Sequence, residues 1–427
     1  MKLGTGKARI TPPVGVMLAG FAFRDRGSES VLDELELQAF WLEDDRDPGE
    51  RACIVTADII GFDATLTSLL RDDLRQRFGV EPDRLLFCAS HTHSGPQTCA
   101  NMIGVGALVE STLSVIREGV RTAVGKARRS AVPVTGRYGQ SVCSGYAINR
   151  RLIEAGKAHS GPNPDGVHDD AVSVLSFADA SGRLKAVLFH FTCHPTTLGN
   201  YLISSDYPGY ARRQIEKTLG NGVVAGFLPG CFGDVRPDCT LVGHRQFRRG
   251  QPEDVAAFGS ALADSVLACM QPAGGARELP LDQIDGSAAA VNLAYSSIPS
   301  RTELQRASYS DIPIKRQWAE QLLGRGFSPT CPLNIQRLDM GSRLTLLAMG
   351  GEICCDYGLY ARTLGANRFV IPLGYTNGLV GYIPSARMFP EGGYEVEDST
   401  LYFGLPAMFS PNIDAGIREA LRQLMSD

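Results

Sequence analysis

The sequence predicts an α/β fold, with mixed sheets flanked by helices, from three observations. Short apolar runs of strand length alternate with stretches whose apolar residues recur at helical spacing. Several of the strand-like runs end in Gly, Pro, Ser or His, where α/β proteins place loops that carry chemistry. The 427 residues can bury a large core and contain no repeats or low-complexity tracts.

The elements follow in order. Residues 52–60 read as a buried strand. Leu66, Leu69, Leu70, Leu74 and Phe78 mark a helix that Gly79 ends. A strand-type run from Leu85 leads to His91 and His93, and Ser94-Gly95-Pro96 then breaks it. A helix over 106–128 precedes strands at 134–142, 171–177 and 185–193. Ser205-Asp206-Tyr207-Pro208 reads as a helix start, with a capping side chain before a proline. A strand at 223–228 and a helix at 253–270 follow.

Residues 272–287 are rich in Gly, Pro and Ala, so a sub-domain boundary within one domain spanning 1–427 is expected there. Beyond lie a strand near 288–296, a helix near 302–323 and strands near 333–338 and 343–349. A helix near 356–364, a strand near 368–373 and an amphipathic helix with Ile413, Ile417, Leu421 and Leu424 complete the chain.

Bulk properties narrow the function. A net charge of −4 points to neither nucleic acid nor a membrane surface. The apolar runs, such as 186–189, are far too short to span a bilayer. Met1 to Lys7 holds no apolar signal region, so a cytoplasmic location is expected. Eleven scattered cysteines without a C-x-x-C pair read as buried reduced thiols rather than a zinc knuckle. The expected partner is a small-molecule substrate, and the oligomeric state stays open, a homo-oligomer included.

Two of the seven histidines, His91 and His93, are spaced i, i+2 at a strand's end. In extended backbone they would share one face and could begin a metal site. His194 again ends an apolar strand, before Pro195, whereas His190 lies about 13 Å back along it and reads as a core residue. Glu352 follows an apolar strand and a Gly350-Gly351 pair that suggests close backbone approach. The turn from Gly230 to Asp238 follows a buried strand and can carry substrate contacts. The basic run Arg245 to Arg249 reads as a solvated face.

Taken in order, these pieces resemble the neutral/alkaline (non-lysosomal) ceramidase family. Ala8-Arg9-Ile10-Thr11-Pro12-Pro13 and Met17-Leu18-Ala19-Gly20-Phe21-Ala22 are similar to its opening. Ser90-His91-Thr92-His93-Ser94-Gly95-Pro96 matches its most specific motif. Asn149-Arg150-Arg151, Asn163-Pro164, His194-Pro195-Thr196, Ser205-Asp206, Gly233-Asp234-Val235 with Pro237, Gly351-Glu352, Thr376-Asn377-Gly378 and Tyr382 continue the series. The resemblance implies a ceramidase-like catalytic domain without the family's C-terminal β domain. It also implies one Zn2+ per chain on His91, His194, Glu352 and Tyr382. His93, Arg150 and Tyr394 would face the reacting group, and Gly20 and Asp234 would line the pocket.

One position departs from the family. Arg236 replaces the serine of the Gly-Asp-Val-Ser-Pro-Asn block, and Asp238 its asparagine. A guanidinium stays protonated and cannot be a nucleophile. The expected reaction is therefore hydrolysis by a zinc-activated water of an amide, with lactone or ester feasible. Arg236 would favour a small polar or anionic substrate over ceramide, although arginine is abundant here, 35 against 7 lysines. The alternatives are a true ceramidase acting on a lipid amide and a degenerate ligand-binding protein. An amidohydrolase-type barrel also uses His-x-His, but on its first strand, and here several strands precede residue 91.

Overall fold

Period-two burial builds the centre of the protein. In the strand Glu36–Glu43, Leu37, Ala39 and Trp41 face one core while Phe40 and Leu42 face another. The computed structural model describes residues 1–45, 47, 49–241, 243 and 245–426. Its first half contains β1 (Lys2–Arg9), β2 (Ser30–Val31), β3 (Glu36–Glu43), β4 (Arg51–Ala57), α1 (Ala64–Phe78), β5 (Leu85–Ala89), α2 (Glu110–Arg129), β6 (Val132–Val142), β7 (Ala147–Glu154) and β8 (Lys157–Asn163). There follow β9 (Ala171–Asp179), β10 (Leu184–Phe191), β11 (Leu202–Ile203), α3 (Asp206–Leu219), β12 (Val224–Pro229), β13 (Val235–Pro237), α4 (Pro252–Met270) and β14 (Arg277–Leu279). The remainder comprises β15 (Ile284–Ala294), α5 (Arg301–Ala307), α6 (Pro313–Arg325), β16 (Thr330–Met340), β17 (Leu344–Met349), β18 (Glu352–Ile353), α7 (Cys355–Thr363), β19 (Phe369–Leu373), β20 (Tyr382–Ile383), α8 (Met388–Glu391), α9 (Ser399–Tyr402) and α10 (Ile413–Ser426).

The main sheet runs β12-β10-β9-β6-β1-β3-β4-β5, with β14 beside β6. β1 pairs with β3 along its whole length but with β6 only at Lys2 and Leu3. The sheet therefore folds over at β1, so that Gly226 of β12 meets the ring of Phe40 on β3. A second sheet, β15-β16-β17-β19, lays Leu338, Leu346 and Ile371 into the same core as Phe40, Leu86 and Leu188. Ile116, Val120 and Val124 of α2, with Leu66, Leu70 and Leu74 of α1, cover the β1-β3-β4-β5 half. Tyr207 and Ala211 of α3 pack with Phe258 and Leu262 of α4 against Val187 and Phe189. Apart from these layers, β13-β7-β8 forms a three-stranded ribbon.

Several expectations are revised. The helix expected near 302–323 is two helices, because Pro313 lacks the N–H an interior position needs and instead opens α6. Ser205 does not cap α3; its hydroxyl donates to Asp33, while Asp206 accepts from the backbone of Thr197, Leu198 and Tyr207. β1, β3 and the β7–β8 hairpin are additional strands: Gly4 and Gly6 break the strand pattern in β1, and Gly161 and Pro162 break it in β8, whereas β3 holds no such residue. Residues 272–287 carry β14 on the first sheet and the start of β15 on the second. All eleven cysteines are buried and free. Among the described residues no helix is long and apolar enough to cross a membrane.

Candidate active site

Three imidazoles meet where strands end. β5 stops at Ala89, and His91 lies beyond it with φ of 65°. Shared orientation on an extended strand is therefore not what joins His91 to His93. A left-handed turn does so, bringing their ring centroids to 4.9 Å. Past the end of β10, the His93 N–H donates to the Pro195 carbonyl, which fixes this turn against the one holding His194. The His91 and His194 centroids are 4.8 Å apart.

The tautomers are set by the backbone. His91 Nδ1 donates to the Ile60 carbonyl at 2.5 Å and His194 Nδ1 to the Phe232 carbonyl at 3.0 Å. Each Nε2 is left with its lone pair facing the centre. Glu352 stands between them, with Oε1 3.5 Å from His91 Nε2 and Oε2 3.4 Å from His194 Nε2. Its position comes from the two-residue parallel ladder of β18 and β20, which sets Glu352 beside Tyr382. The approach is as tight as the Gly-Gly pair suggests: a Cβ at Gly350 would lie 2.9 Å from the Gly378 carbonyl oxygen.

This donor set fits a metal ion. His194 Nε2 is buried without a hydrogen-bond partner, an unsatisfied lone pair that a cation would take up. Ring nitrogens of His91, His93 and His194 that could ligate an ion lie within 4.8 Å of one another. Burial holds His91 neutral, its pKa lowered to about 3, and lowers His93 and His194 well below the usual value, with Arg150 adding to each. Burial also raises Glu352 to about 7, against the opposing pull of Tyr382 and Arg150. A divalent ion would return that carboxyl to its charged form.

A cavity of about 430 Å³ opens onto this centre. Gly20, His93, Arg150, Arg236, Tyr382 and Tyr394 all line it, so the structure brings six of the expected residues to one wall. His91, His194 and Glu352 lie buried beside it. Gly20 adopts φ of 88°, and a Cβ there would sit 2.2 Å from His93 Nδ1, so the imidazole packs directly on its backbone. Asp234 is a correction. Its carboxylate oxygens are occupied by Asn149 Nδ2 at 3.0 Å and the Cys355 N–H at 2.7 Å, and it does not line the cavity. It ties β7, β13 and α7 together instead. His190 is a core residue as expected, with Nε2 bonded to the Pro372 carbonyl.

Other residues escaped the sequence reading. Tyr375 has φ of 55°, stacks on Phe232 at 4.0 Å and donates to Glu352 Oε2 at 3.4 Å; the adjacent Thr376-Asn377-Gly378 was its available signal. Glu395 accepts from Arg150 Nε at 2.8 Å and from Arg151 at 2.6 Å, across more than 240 residues, with no local cue. Arg24 donates to the backbone carbonyls of Ala19 and His93 and so holds the turn that carries His93 against residue 19.

Fold and site together define an α/β domain enclosing a buried His–Glu centre able to hold a metal ion. Residues 1–260 match the family model described as neutral/alkaline non-lysosomal ceramidase, N-terminal, and the chain belongs to that family. Neutral ceramidase of Pseudomonas aeruginosa is 29% identical over 258 residues, which are 56% of this chain and 37% of that protein. The crystal structure of that bacterium's neutral ceramidase matches all of this chain and 73% of its own, with a TM-score of 0.78 and 22% identity. A ceramidase complexed with C2 matches 99% of this chain and 74% of its own, again at 0.78, with 20% identity.

Proposed function

We propose that this protein is a zinc-dependent hydrolase that cleaves an amide, with lactone and ester bonds chemically accessible, in a small polar or anionic substrate rather than ceramide. The observation carrying this reading is the convergence of His91 Nε2 and His194 Nε2 on the Glu352 carboxylate beside a cavity. With Tyr382, these residues would hold one Zn2+ per chain. Such an ion supplies Lewis acidity and lowers the pKa of a water molecule from about 16 toward about 7.

The chain's own groups would do the rest. His93, neutral because it is buried among cations, takes a proton from the attacking water and delivers it to the departing amine. Arg150, its Cζ 5.3 Å from the centroid of the Tyr382 ring, donates toward the oxygen that gains charge. Water adds at the carbonyl carbon, the C–N bond breaks, and a carboxylate and an amine leave. Gly20 leaves the space that His93 occupies. The eleven unpaired buried thiols support a reducing, cytoplasmic setting.

Hydrolysis of a lipid amide is the second reading. It is favoured by the name of the bacterial relative and by the stacked Phe21–Phe23 pair beside the cavity, with Phe23 45% exposed. Elemental analysis with a substrate screen tests both. About one zinc per chain with turnover of small N-acyl compounds or lactones is expected from the metal-site chemistry. Ceramide as the best substrate would select the second reading, and a folded, metal-free protein that binds without turnover would reject both.

A further inference from the structure

Arg236 stands in the cavity wall as a cation with nothing to neutralise it. The other arginines there are balanced. Arg150 donates to Glu395 at 2.8 Å, and Arg151 donates to Glu395 at 2.6 Å and to Glu391 at 3.0 Å. Two guanidiniums thus meet two carboxylates. Among the described residues no carboxylate pairs with Arg236, and its Nε is buried without a hydrogen-bond partner. Cys193 and Cys239, which lie near it, are pushed up by burial and stay neutral. Burial, with Arg150 adding to it, lowers Arg236 to about 10, so it remains charged at neutral pH. Arg236 is half-buried, and an unpaired charge so placed is favoured by a bound ligand that pairs it.

The guanidinium is also held in a defined plane. Its Cζ lies 4.1 Å from the centroid of the Phe247 ring. Phe247 belongs to the run 245–249, expected to be a plain solvated face, and a backbone bridge to Thr240 carries it back over β13. The register of β13 sets Arg236 opposite Ile148 of β7, two residues before Arg150. A guanidinium packed on an aromatic face keeps its N–H edge free, and that edge matches the two oxygens of a carboxylate. Arg236 lines the same cavity as His93 and Arg150.

Resting on the amide-hydrolase reading, we propose that Arg236 is the specificity-determining residue of this site. The substrate class is an amide bearing a free carboxylate close to the scissile bond, an N-acyl amino acid. Phe247 is a positioning residue that holds the fork in plane. A cavity of about 430 Å³ suits a substrate of that size.

The test uses the full zinc-loaded chain with N-acetylglycine, N-acetylleucine and N-acetylglutamate. Their carboxamide-capped counterparts and N-acyl sphingosine serve as neutral controls. Wild type is expected to prefer the carboxylates by about a hundredfold in kcat/KM, chiefly through KM, because a bidentate pair is lost on capping. In Arg236→Ser that preference falls to about threefold or less, with zinc content retained. Phe247→Ala raises KM for the carboxylates without lowering kcat, and Phe247→Tyr restores it. Calorimetric binding of N-acetylleucine to the metal-free chain, weakened in Arg236→Ser, reads the same contact without turnover. An unchanged carboxylate preference or unchanged binding in Arg236→Ser overturns the proposal. Loss of turnover for every amide with the binding difference intact would instead reject the amide-hydrolase reading and leave the carboxylate site standing.

Discussion

His91 departs from the strand it terminates, and that single φ of 65° converts a spacing into a centre. Two histidines before Ser-Gly-Pro were legible as chemistry, but the turn that joins them was not, because alternation describes only extended backbone. His91, His194 and Glu352 each carried a local signal, whereas Tyr375 and Glu395 act through partners distant in sequence. The roles proposed for these residues differ, and substitution separates them. His91→Ala and Glu352→Ala are expected to lose the zinc measured by elemental analysis. His93→Asn is expected to keep it while kcat falls by about 10²- to 10⁴-fold, the range for removing a general base. Zinc lost from His93→Asn would make the centre a three-histidine site.

Glu395 gives a pH signature. Burial pushes its carboxyl up, but Arg150 and Arg151 more than offset this, leaving it below the usual 4.5. A carboxyl with a lowered folded-state pKa contributes stability that is whole above 4.5 and is lost as pH falls through the folded value. The urea midpoint of the wild type should therefore drop on acidification below that point. Glu395→Gln should start about 3–5 kcal/mol less stable, because two buried arginines lose a shared partner. Its acid limb should be shallower, and equal limbs in the two proteins would refute the assignment.

At the scale of elements, most helices and the strands β4, β5, β10 and β12 were legible in the sequence, whereas β1, β3 and the short ladders were not. β18 and β20 are two residues each, too short to show a period, yet they set Glu352 beside Tyr382. The edge of β5 shows how such a fragment does structural work. Ala89 N–H donates to the Tyr375 carbonyl, Asn377 N–H to the Phe87 carbonyl, and Asn377 Oδ1 accepts from Phe87 N–H at 2.8 Å. Asn377 Nδ2 donates to Gln336 Oε1 at 2.7 Å and to the Leu85 carbonyl at 3.2 Å. The segment 375–377 thus completes an open sheet edge and carries Tyr375 to the site. Asn377→Ala leaves buried groups unpaired, at about 1–3 kcal/mol for each. Urea unfolding should show a loss of at least about 2 kcal/mol, and a loss below half of that would mean the edge is closed by other groups.

On the scale of the whole molecule, the site does not belong to either half of the chain. His91, His93, Arg150, His194 and Arg236 fall within the matched residues 1–260, whereas Glu352, Tyr375, Tyr382, Tyr394 and Glu395 lie beyond them. The composition of 272–287 announces a boundary, but its strand β14 extends the first sheet and its last residues open the second. The two sheets share one core, in which Phe40, Leu86 and Leu188 pack with Leu338, Leu346 and Ile371. Removing the second sheet would expose that face to water, at about 25 cal/mol for each Å² uncovered. A fragment of residues 1–271 is therefore expected to lack a cooperative thermal transition, to bind a hydrophobic dye and to hold no zinc. The full chain should unfold in one calorimetric transition. Zinc bound only by the folded chain should raise its stability by about 3 kcal/mol at a hundredfold excess over Kd. Two resolved transitions, or a folded 1–271 fragment that retains the metal, would show that the halves are independent and that the centre needs only the first of them.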